Sequence, residues 1–136
     1  MASEQIRRGR NCVFLMHVHL VFVTKYRKKV FESKHLKYMQ QTIEYLCEKQ
    51  ECSLKEFNGE QDHVHLLINY PPKLPISKLV NSIKGVTSRR LKQNYPSLKQ
   101  KFYKGALWSP SYFAGSVGGA TLDVVKKYIE EQNRPT

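Results

Sequence analysis

Four side chains in this sequence have types and spacings that suit chemistry on a phosphate: His63, His65, Tyr128 and Gln132. Residues i and i+2 of a strand point to the same face with Cα atoms about 6.6 Å apart, so the two imidazoles can bind one metal ion. Residues four apart in a helix also share a face, which predicts that Tyr128 lies beside Gln132. The Gln132 amide oxygen suits a hard cation such as Mg²⁺ or Mn²⁺. Because these ligands are neutral, the ion keeps its charge for polarising a phosphate oxygen that the tyrosine attacks.

Each of these signals also has a purely structural explanation. His17 and His19 form a second pair with the same spacing, and polar residues on a sheet face explain such a pair without a metal. A tyrosine hydroxyl normally has a pKa of about 10, so Tyr128 needs a metal, a cation or a base to act as a nucleophile. Taken alone, it is typical of a packing aromatic. The pair at His63 and His65 has more support, because it follows an acidic segment and precedes an apolar run typical of a central strand.

The charge of the chain indicates a polyanionic partner. Lys and Arg number 23 against 11 for Asp and Glu, a formal net charge of +12 in 136 residues. Such an excess favours nucleic acid, with cations that neutralise the backbone and aromatic rings that stack on bases. The side chains predicted to contact DNA are Lys25, Arg27, Lys28, Lys84, Arg89, Arg90, Lys104 and Trp108.

The apolar stretch over 12–23 follows a basic N-terminal segment (1–10) and resembles an export signal only superficially. It contains His17 and His19 and is too short to span a bilayer. A buried strand explains it better. We therefore expect a cytoplasmic protein with no membrane partner.

The periodicity predicts one domain over 1–136 with the order β-α-β-β-α-β and a C-terminal helix. Strands are predicted at 12–23, 53–57, 63–70 and 106–117, and helices at 34–50, from about 76, and at 120–134. Ser33 and Thr121 are the predicted N-caps, Asn58 and Gly59 are the predicted hairpin turn, and 94–105 is predicted to be a loop. This order is that of the α+β, ferredoxin-like split βαβ fold, an antiparallel sheet with two helices on one face.

Residues 62–68, Asp-His-Val-His-Leu-Leu-Ile, resemble the HUH motif (histidine, hydrophobic residue, histidine) of the small single-tyrosine transposases that move insertion sequences as single-stranded DNA. The resemblance covers nearly the whole chain, because it extends to residues 23–27, 78–85 and 107–113 and to the Tyr128 and Gln132 pair. A single H-x-H is common, but all of these segments in order are specific.

The resemblance implies a role for each site residue. His63 and His65 would bind the divalent ion, Gln132 would complete its ligands, and Tyr128 would attack single-stranded DNA. The tyrosine would become joined to the 5′-phosphate and release a 3′-hydroxyl, and reversal would reseal DNA without ATP or another nucleotide cofactor. The resemblance also implies a homodimer that recognises hairpins at the element ends and whose tyrosine helix can complete the partner's site. We place the hinge for that helix at Gly118 and Gly119, because glycine tolerates the backbone change.

Three other functions fit part of the pattern. A rolling-circle initiator or a repeat-processing HUH nuclease would share the chemistry without the transposition. A non-catalytic, RRM-type nucleic-acid-binding module would share the strand order but would need stacking aromatics on its third strand, where this sequence has His-Val-His-Leu-Leu-Ile. A basic structural dimer would carry the H-x-H incidentally.

Overall fold

A four-stranded antiparallel sheet and four helices make up the computed structural model, which describes residues 6–116, 118 and 120–132. In chain order the elements are β1 (Arg7–Arg8), β2 (Val13–Phe14), β3 (His17–Val23), a single 3₁₀ turn (Lys25–Arg27), α1 (Ser33–Lys49), β4 (Ser53–Gly59), β5 (His63–Asn69), α2 (Ile76–Asn94), α3 (Pro96–Lys101), β6 (Phe113–Gly115) and α4 (Leu122–Glu130). The strand order in the sheet is β4-β5-β3-β6, and every neighbouring pair is antiparallel. This is the predicted α+β, ferredoxin-like split βαβ arrangement, which the structure confirms.

The two faces of the sheet have different covers. Alternate residues of β3 and β5, such as Leu20, Phe22 and Leu66, join the core under α1 and α2. The other residues of these strands, which include both histidine pairs, point to the opposite face, because side chains alternate along a strand. On that face Val125 and Ile129 of α4 pack against β3 in a small second cluster. The period of two in the sequence therefore places the histidines on the side that α4 covers.

The first strand was predicted as one element over 12–23, and this prediction is wrong. Its start, β2, pairs with β1 in a separate two-stranded sheet, and β3 begins only at His17. The N-cap of α1 is Glu32 rather than Ser33. The Glu32 side chain accepts from the backbone of His35, whose Nδ1 in turn accepts from the Glu32 backbone N–H at 3.0 Å. This reciprocal pair satisfies two donors that a serine cap would satisfy only in part.

The predicted turn at Asn58 and Gly59 is also wrong, because both residues belong to β4 and Gly59 pairs with Val64. The chain reverses over residues 60–62, where the Glu60 N–H donates to the His63 carbonyl at 2.8 Å. Gly59 lies close to α1. A Cβ at this position would lie 2.5 Å from a Leu36 methyl carbon, so a larger residue would require the Leu36 side chain to move.

The C-terminal third is more irregular than predicted. The predicted loop contains α3, and the predicted strand 106–117 is reduced to β6 and an isolated bridge between Thr24 and Trp108. Thr121 is the N-cap of α4 as predicted, since its hydroxyl accepts from the Val124 N–H at 3.4 Å. The helix ends at Glu130, so Gln132 follows it, and residues 133 and 134 lie outside the described residues. Within the described residues, none of the helices has the length and apolar character needed to cross a membrane.

Candidate active site

The histidines of β5 lie side by side as predicted. The rings of His63 and His65 have centroids 5.0 Å apart, and the two residues pair across the sheet with Val23 and Val21 of β3. Burial lowers the pKa of His65, and the neighbouring His63 and His19 lower it further. His65 is therefore neutral at pH 7, which is the form whose nitrogen lone pair can bind a metal.

A buried carboxylate fixes the orientation of His63. Asp62, which is 5% exposed, has its Oδ1 2.8 Å from His63 Nδ1. Because a carboxylate only accepts, Nδ1 carries a proton, so in the neutral ring the lone pair is on Nε2. This arrangement is the one in which a carboxylate orients a metal-binding histidine.

Arg27 supports Asp62 from the 3₁₀ turn. Its Nε lies 3.4 Å from Asp62 Oδ2, close enough for an ion pair but not aligned as a hydrogen bond. Tyr26 and Arg27 have φ of 60° and 53°, a left-handed conformation that costs free energy in residues other than glycine. The 3₁₀ turn thus positions the Arg27 guanidinium beside Asp62, and Asp62 in turn orients His63.

These residues fit a divalent ion with a mixed nitrogen and oxygen ligand set. The two imidazoles share one face, and the Asp62 contact at Nδ1 leaves His63 Nε2 free of that hydrogen bond. Among the described residues, no three His, Cys, Asp or Glu side chains gather into a metal-binding group. A third protein ligand would therefore be of another type, and the Gln132 amide oxygen is of the right kind for Mg²⁺ or Mn²⁺.

Tyr128 and Gln132 meet at Ser111, a residue that the sequence did not single out. The Tyr128 hydroxyl lies 2.9 Å from Ser111 Oγ, and Ser111 Oγ donates to Gln132 Oε1 at 3.0 Å. Gln132 Nε2 donates to the Tyr128 carbonyl at 3.2 Å, and the Tyr128 ring packs against Phe113 of β6, 5.8 Å between centroids. Burial raises the pKa of Tyr128, an effect that the hydrogen bond with Ser111 opposes. The two residues lie together as predicted, although Gln132 follows the end of the helix.

The histidine pair and the tyrosine pair lie on the same face of the sheet. In the described part of the chain, the hydrogen bonds and ring contacts of Tyr128 and Gln132 are made with Ser111, Phe113 and α4 itself. Tyr128 also packs against the cluster that contains Val21 and Val23 of β3, and these valines pair across the sheet with His65 and His63. The two members of each pair are therefore in contact, and β3 and α4 connect the two pairs.

The second histidine pair lies on the same face, nearer the other end of β3. His17 pairs across the sheet with Asn69, and His19 pairs with Leu67. The Nδ1 of His19 is buried, with no hydrogen-bond partner among the described residues. His19 contributes to the lowered pKa of His65, and in the described part of the chain no contact of His17 indicates a role for it.

Basic side chains line three adjoining concavities of about 340, 530 and 250 Å³. We call this surface the basic groove, and its cations are Lys25, Lys28, Lys84, Arg89, Lys92, Lys99, Lys101 and Lys104. Two aromatic residues on its wall, Tyr26 and Tyr103, are 47% and 73% exposed, so their rings are open to stacking. Five of the predicted DNA contacts, namely Lys25, Lys28, Lys84, Arg89 and Lys104, are cations of the basic groove.

Several of the predicted contacts also have structural partners. Trp108 lines the 530 Å³ concavity but is 2% exposed, and its indole N–H donates to Thr87 at 3.0 Å, so it is placed for packing and its contact with DNA stays a prediction. Lys84 is half-buried, and its ammonium donates to backbone carbonyls at 109–111. Arg27 pairs with Asp62, and Arg90 lies over the Tyr45 ring at 5.8 Å. Lys84 and Arg27 thus support the site, and Lys84 also lines the groove.

The predicted hinge is described only at Gly118, because Gly119 lies outside the described residues. Gly118 is exposed, a Cβ there would meet nothing within 4 Å, and its φ is not positive. The backbone conformation at Gly118 does not require glycine here. The hinge therefore stays a prediction about a different position of the tyrosine helix.

Comparison with known proteins identifies the family. Residues 12–132 match the family described as "Transposase IS200 like". The chain is 31% identical over 129 residues to the ISDra2 transposase TnpA of Deinococcus radiodurans, covering 95% of this chain and 92% of that protein. It is 30% identical over 124 residues to the transposase for insertion sequence element IS200 of Salmonella typhimurium, covering 89% and 79%.

Solved structures agree with this result. A crystal structure from Deinococcus radiodurans R1, described as that of a transposase, superposes with a TM-score of 0.88 at 30% identity and covers 95% of this chain and 99% of that one. The REP-associated tyrosine transposase bound to a REP hairpin superposes with a TM-score of 0.58 at 9% identity, covering 93% and 69%. The second likeness shows a shared fold. The chain therefore belongs to the IS200-like family of single-tyrosine HUH transposases and is a DNA transposase.

Proposed function

We propose that this transposase cleaves and rejoins single-stranded DNA through a covalent 5′-phosphotyrosine at Tyr128, with His63, His65 and Gln132 as the ligands of Mg²⁺ or Mn²⁺. The observation that carries the proposal is the Asp62 contact at 2.8 Å, which orients His63 beside a neutral His65. A histidine that only filled space on the sheet would not need a buried carboxylate.

The chain's own residues supply the rest of the chemistry. A bound divalent ion adds positive charge that polarises a phosphate oxygen. The Tyr128 oxygen forms a bond to phosphorus while the bond from phosphorus to the 3′-oxygen breaks, so that the 5′-phosphate is joined to the tyrosine. The phenol gives up its proton, and the departing 3′-oxygen takes one up to become a hydroxyl. In the reverse reaction a 3′-hydroxyl attacks the phosphotyrosine, which reseals DNA without ATP.

The basic groove is the proposed path of the DNA. Its cations can neutralise backbone phosphates, while the exposed rings of Tyr26 and Tyr103 can stack on unpaired bases. Hairpin recognition is proposed from the family and from the fold shared with the protein solved on a REP hairpin. We propose that the protein works on this DNA in the cytoplasm.

We further propose that the active form is a homodimer. The family supports this proposal, because its tyrosine helix can complete the partner's site, and within this chain Tyr128 and Gln132 are hydrogen-bonded to Ser111 rather than to the histidines. A second copy could contribute its α4 to the histidine pair of the first. Mixing Tyr128→Phe with His63→Ala protein tests this directly: adduct formation by the mixture, but by neither protein alone, shows a shared site.

The cleavage proposal is tested with labelled single-stranded DNA that carries an element end, in the presence of Mg²⁺ or Mn²⁺. We expect a protein–DNA adduct that survives denaturation and is absent with Tyr128→Phe. Tyr103→Phe is the matched control, because Tyr103 is an exposed tyrosine of the basic groove. Loss of its hydroxyl should leave adduct formation unchanged. His63→Ala should abolish the adduct while retaining DNA binding. An adduct that persists in Tyr128→Phe would refute the mechanism.

Membership of the transposase family decides against the RRM-type module, the structural dimer and the rolling-circle initiator. The structure agrees for the first of these. An RRM binds RNA on an open sheet face with stacking aromatics, whereas here α4 covers part of that face through Val125 and Ile129.

A further inference from the structure

Gly85 lies in the interior of α2, where neither the backbone nor the packing of the described residues requires a glycine. It is near the middle of a 19-residue helix, and among the described residues no glycine has a positive φ. A Cβ at this position would meet no other part of the described chain within 4 Å. Glycine is nonetheless the least favourable residue in a helix interior after proline. The helix therefore contains an unfavourable residue that its own contacts do not explain.

This glycine is on the face of α2 that is turned away from the core. Ile83 and Leu91 are buried, whereas Gly85 is exposed and lines the 530 Å³ concavity of the basic groove. Residues four apart share a helix face, so Asn81 and Arg89 lie one turn before and one turn after Gly85, and both line the same concavity. The missing side chain at Gly85 therefore leaves the helix backbone open to a ligand in the groove.

The charge around Gly85 indicates what kind of ligand fits. None of the described residues that line this concavity is acidic, and four are cations: Lys25, Lys84, Arg89 and Lys92. Two of the ammonium groups are fixed by backbone carbonyls, since Lys84 donates to Ser109 and Lys92 donates to Gly105. The adjoining concavities carry the exposed rings of Tyr26 and Tyr103. Fixed cations beside open rings suit a phosphate backbone with unpaired bases.

We propose that Gly85 is the point at which the backbone of single-stranded DNA lies directly against α2, in space that a Cβ would otherwise occupy. A phosphate at this point is within one helical turn of Arg89. The inference rests on the proposed function, because it takes the basic groove as the path of the DNA. It adds the residue that sets how closely the strand approaches the protein.

The test measures stability and DNA binding in Gly85→Ala and Gly85→Gln. Both replacements form helices better than glycine, so the urea midpoint of unfolding should rise in each. The affinity for labelled oligothymidylate, measured by fluorescence anisotropy, should fall instead. The loss should be about tenfold in Gly85→Gln, as expected for one contact with a charged group, and smaller in Gly85→Ala. Ser77→Ala, at an exposed position in the first turn of α2, is the matched control and should leave the affinity unchanged.

A lower urea midpoint in the Gly85 variants would show a structural role, and an unchanged affinity in Gly85→Gln would place the DNA elsewhere. Either result would overturn the inference. Sedimentation velocity of the same variants without DNA tests a second copy as the occupant, and a changed oligomeric state would also overturn it. Adduct formation by the wild type together with an unchanged affinity in Gly85→Gln would leave the proposed function in place. If the wild type binds oligothymidylate but forms no adduct with DNA that carries an element end, the proposed cleavage fails, and the Gly85 variants still decide where the DNA lies.

Discussion

Removal of the Asp62 carboxylate should weaken metal binding without removing a metal ligand. Asp62 contacts His63 Nδ1 at 2.8 Å and is itself supported by Arg27. In Asp62→Ala the imidazole loses the acceptor that fixes its tautomer and its orientation. His63 Nε2 is still present, but in only a fraction of the molecules does its lone pair point towards the metal site.

The size of the effect follows from what such a contact contributes elsewhere. Loss of a carboxylate that orients a metal-bound histidine costs about 10- to 100-fold in metal affinity, or about 1.4 to 2.7 kcal/mol. Asp62→Asn keeps an oxygen that can accept from His63 but has no charge. Because charge-assisted hydrogen bonds are about twice as strong as neutral ones, we expect roughly half of that free energy to be lost.

The assay is a titration of the purified protein with Mn²⁺, followed by the electron paramagnetic resonance signal of the free ion. Glu60→Gln is the matched control, because it removes an exposed carboxylate from the same turn and should leave the affinity within about twofold of wild type. Equal losses in Asp62→Ala and Glu60→Gln would show that general electrostatics, not orientation of His63, is responsible. An affinity that is unchanged in Asp62→Ala would refute the proposed role.

Three further predictions concern other parts of the protein. Trp108→Phe removes the buried hydrogen bond to Thr87. It should lower the free energy of unfolding, measured with urea, by about 2 kcal/mol and leave the affinity for DNA unchanged. A loss of DNA affinity without a loss of stability would contradict a packing role for Trp108. Burial lowers the pKa of both His35 and His65, so below about pH 6.5 the unfolded state binds more protons than the folded state. The free energy of unfolding should therefore be greatest above that pH and should fall as the pH is lowered through it. A urea midpoint that does not change between pH 8 and pH 5 would contradict this. Lys104→Ala should reduce the slope of log affinity against log salt concentration by about 0.7 for single-stranded DNA, measured by fluorescence anisotropy. An unchanged slope would show that Lys104 does not contact a DNA phosphate.

Local periodicity explains why the fold could be predicted. A strand has a period of two and a helix a period of 3.6, so the β-α-β-β-α-β order and the shared face of His63 and His65 follow from neighbouring residues alone. The turn after β4 could not be predicted in this way. Asn-Gly is a strong turn signal, but Gly59 lies opposite Leu36, and contact with a helix 23 residues earlier in the chain outweighs the local preference of the dipeptide.

The supporting residues of the site depend on contacts that are distant in sequence. Trp108 and Lys84 have the residue types of a DNA-binding surface, yet one is buried beside Thr87 and the other gathers carbonyls 25 to 27 residues away. Ser111 lies 17 residues before Tyr128, and although residues 107–113 resemble the family, nothing in that segment indicates a contact with Tyr128 or Gln132. Asp62 was different: a carboxylate directly before the first histidine of the pair is a signal that could have suggested its orienting role.

Helix α4 is the element of the candidate site that can move at least cost. It carries Tyr128, and Gln132 follows its end, yet only two of its side chains are buried. The histidines belong to β5, which is hydrogen-bonded to β4 on one side and to β3 on the other. A shift of β5 would therefore break the sheet, whereas a shift of α4 would break only its contacts with β3 and Ser111. A change in the spacing between Tyr128 and the histidines, on the same chain or on a second copy, is therefore expected to be a movement of α4 that leaves the sheet intact.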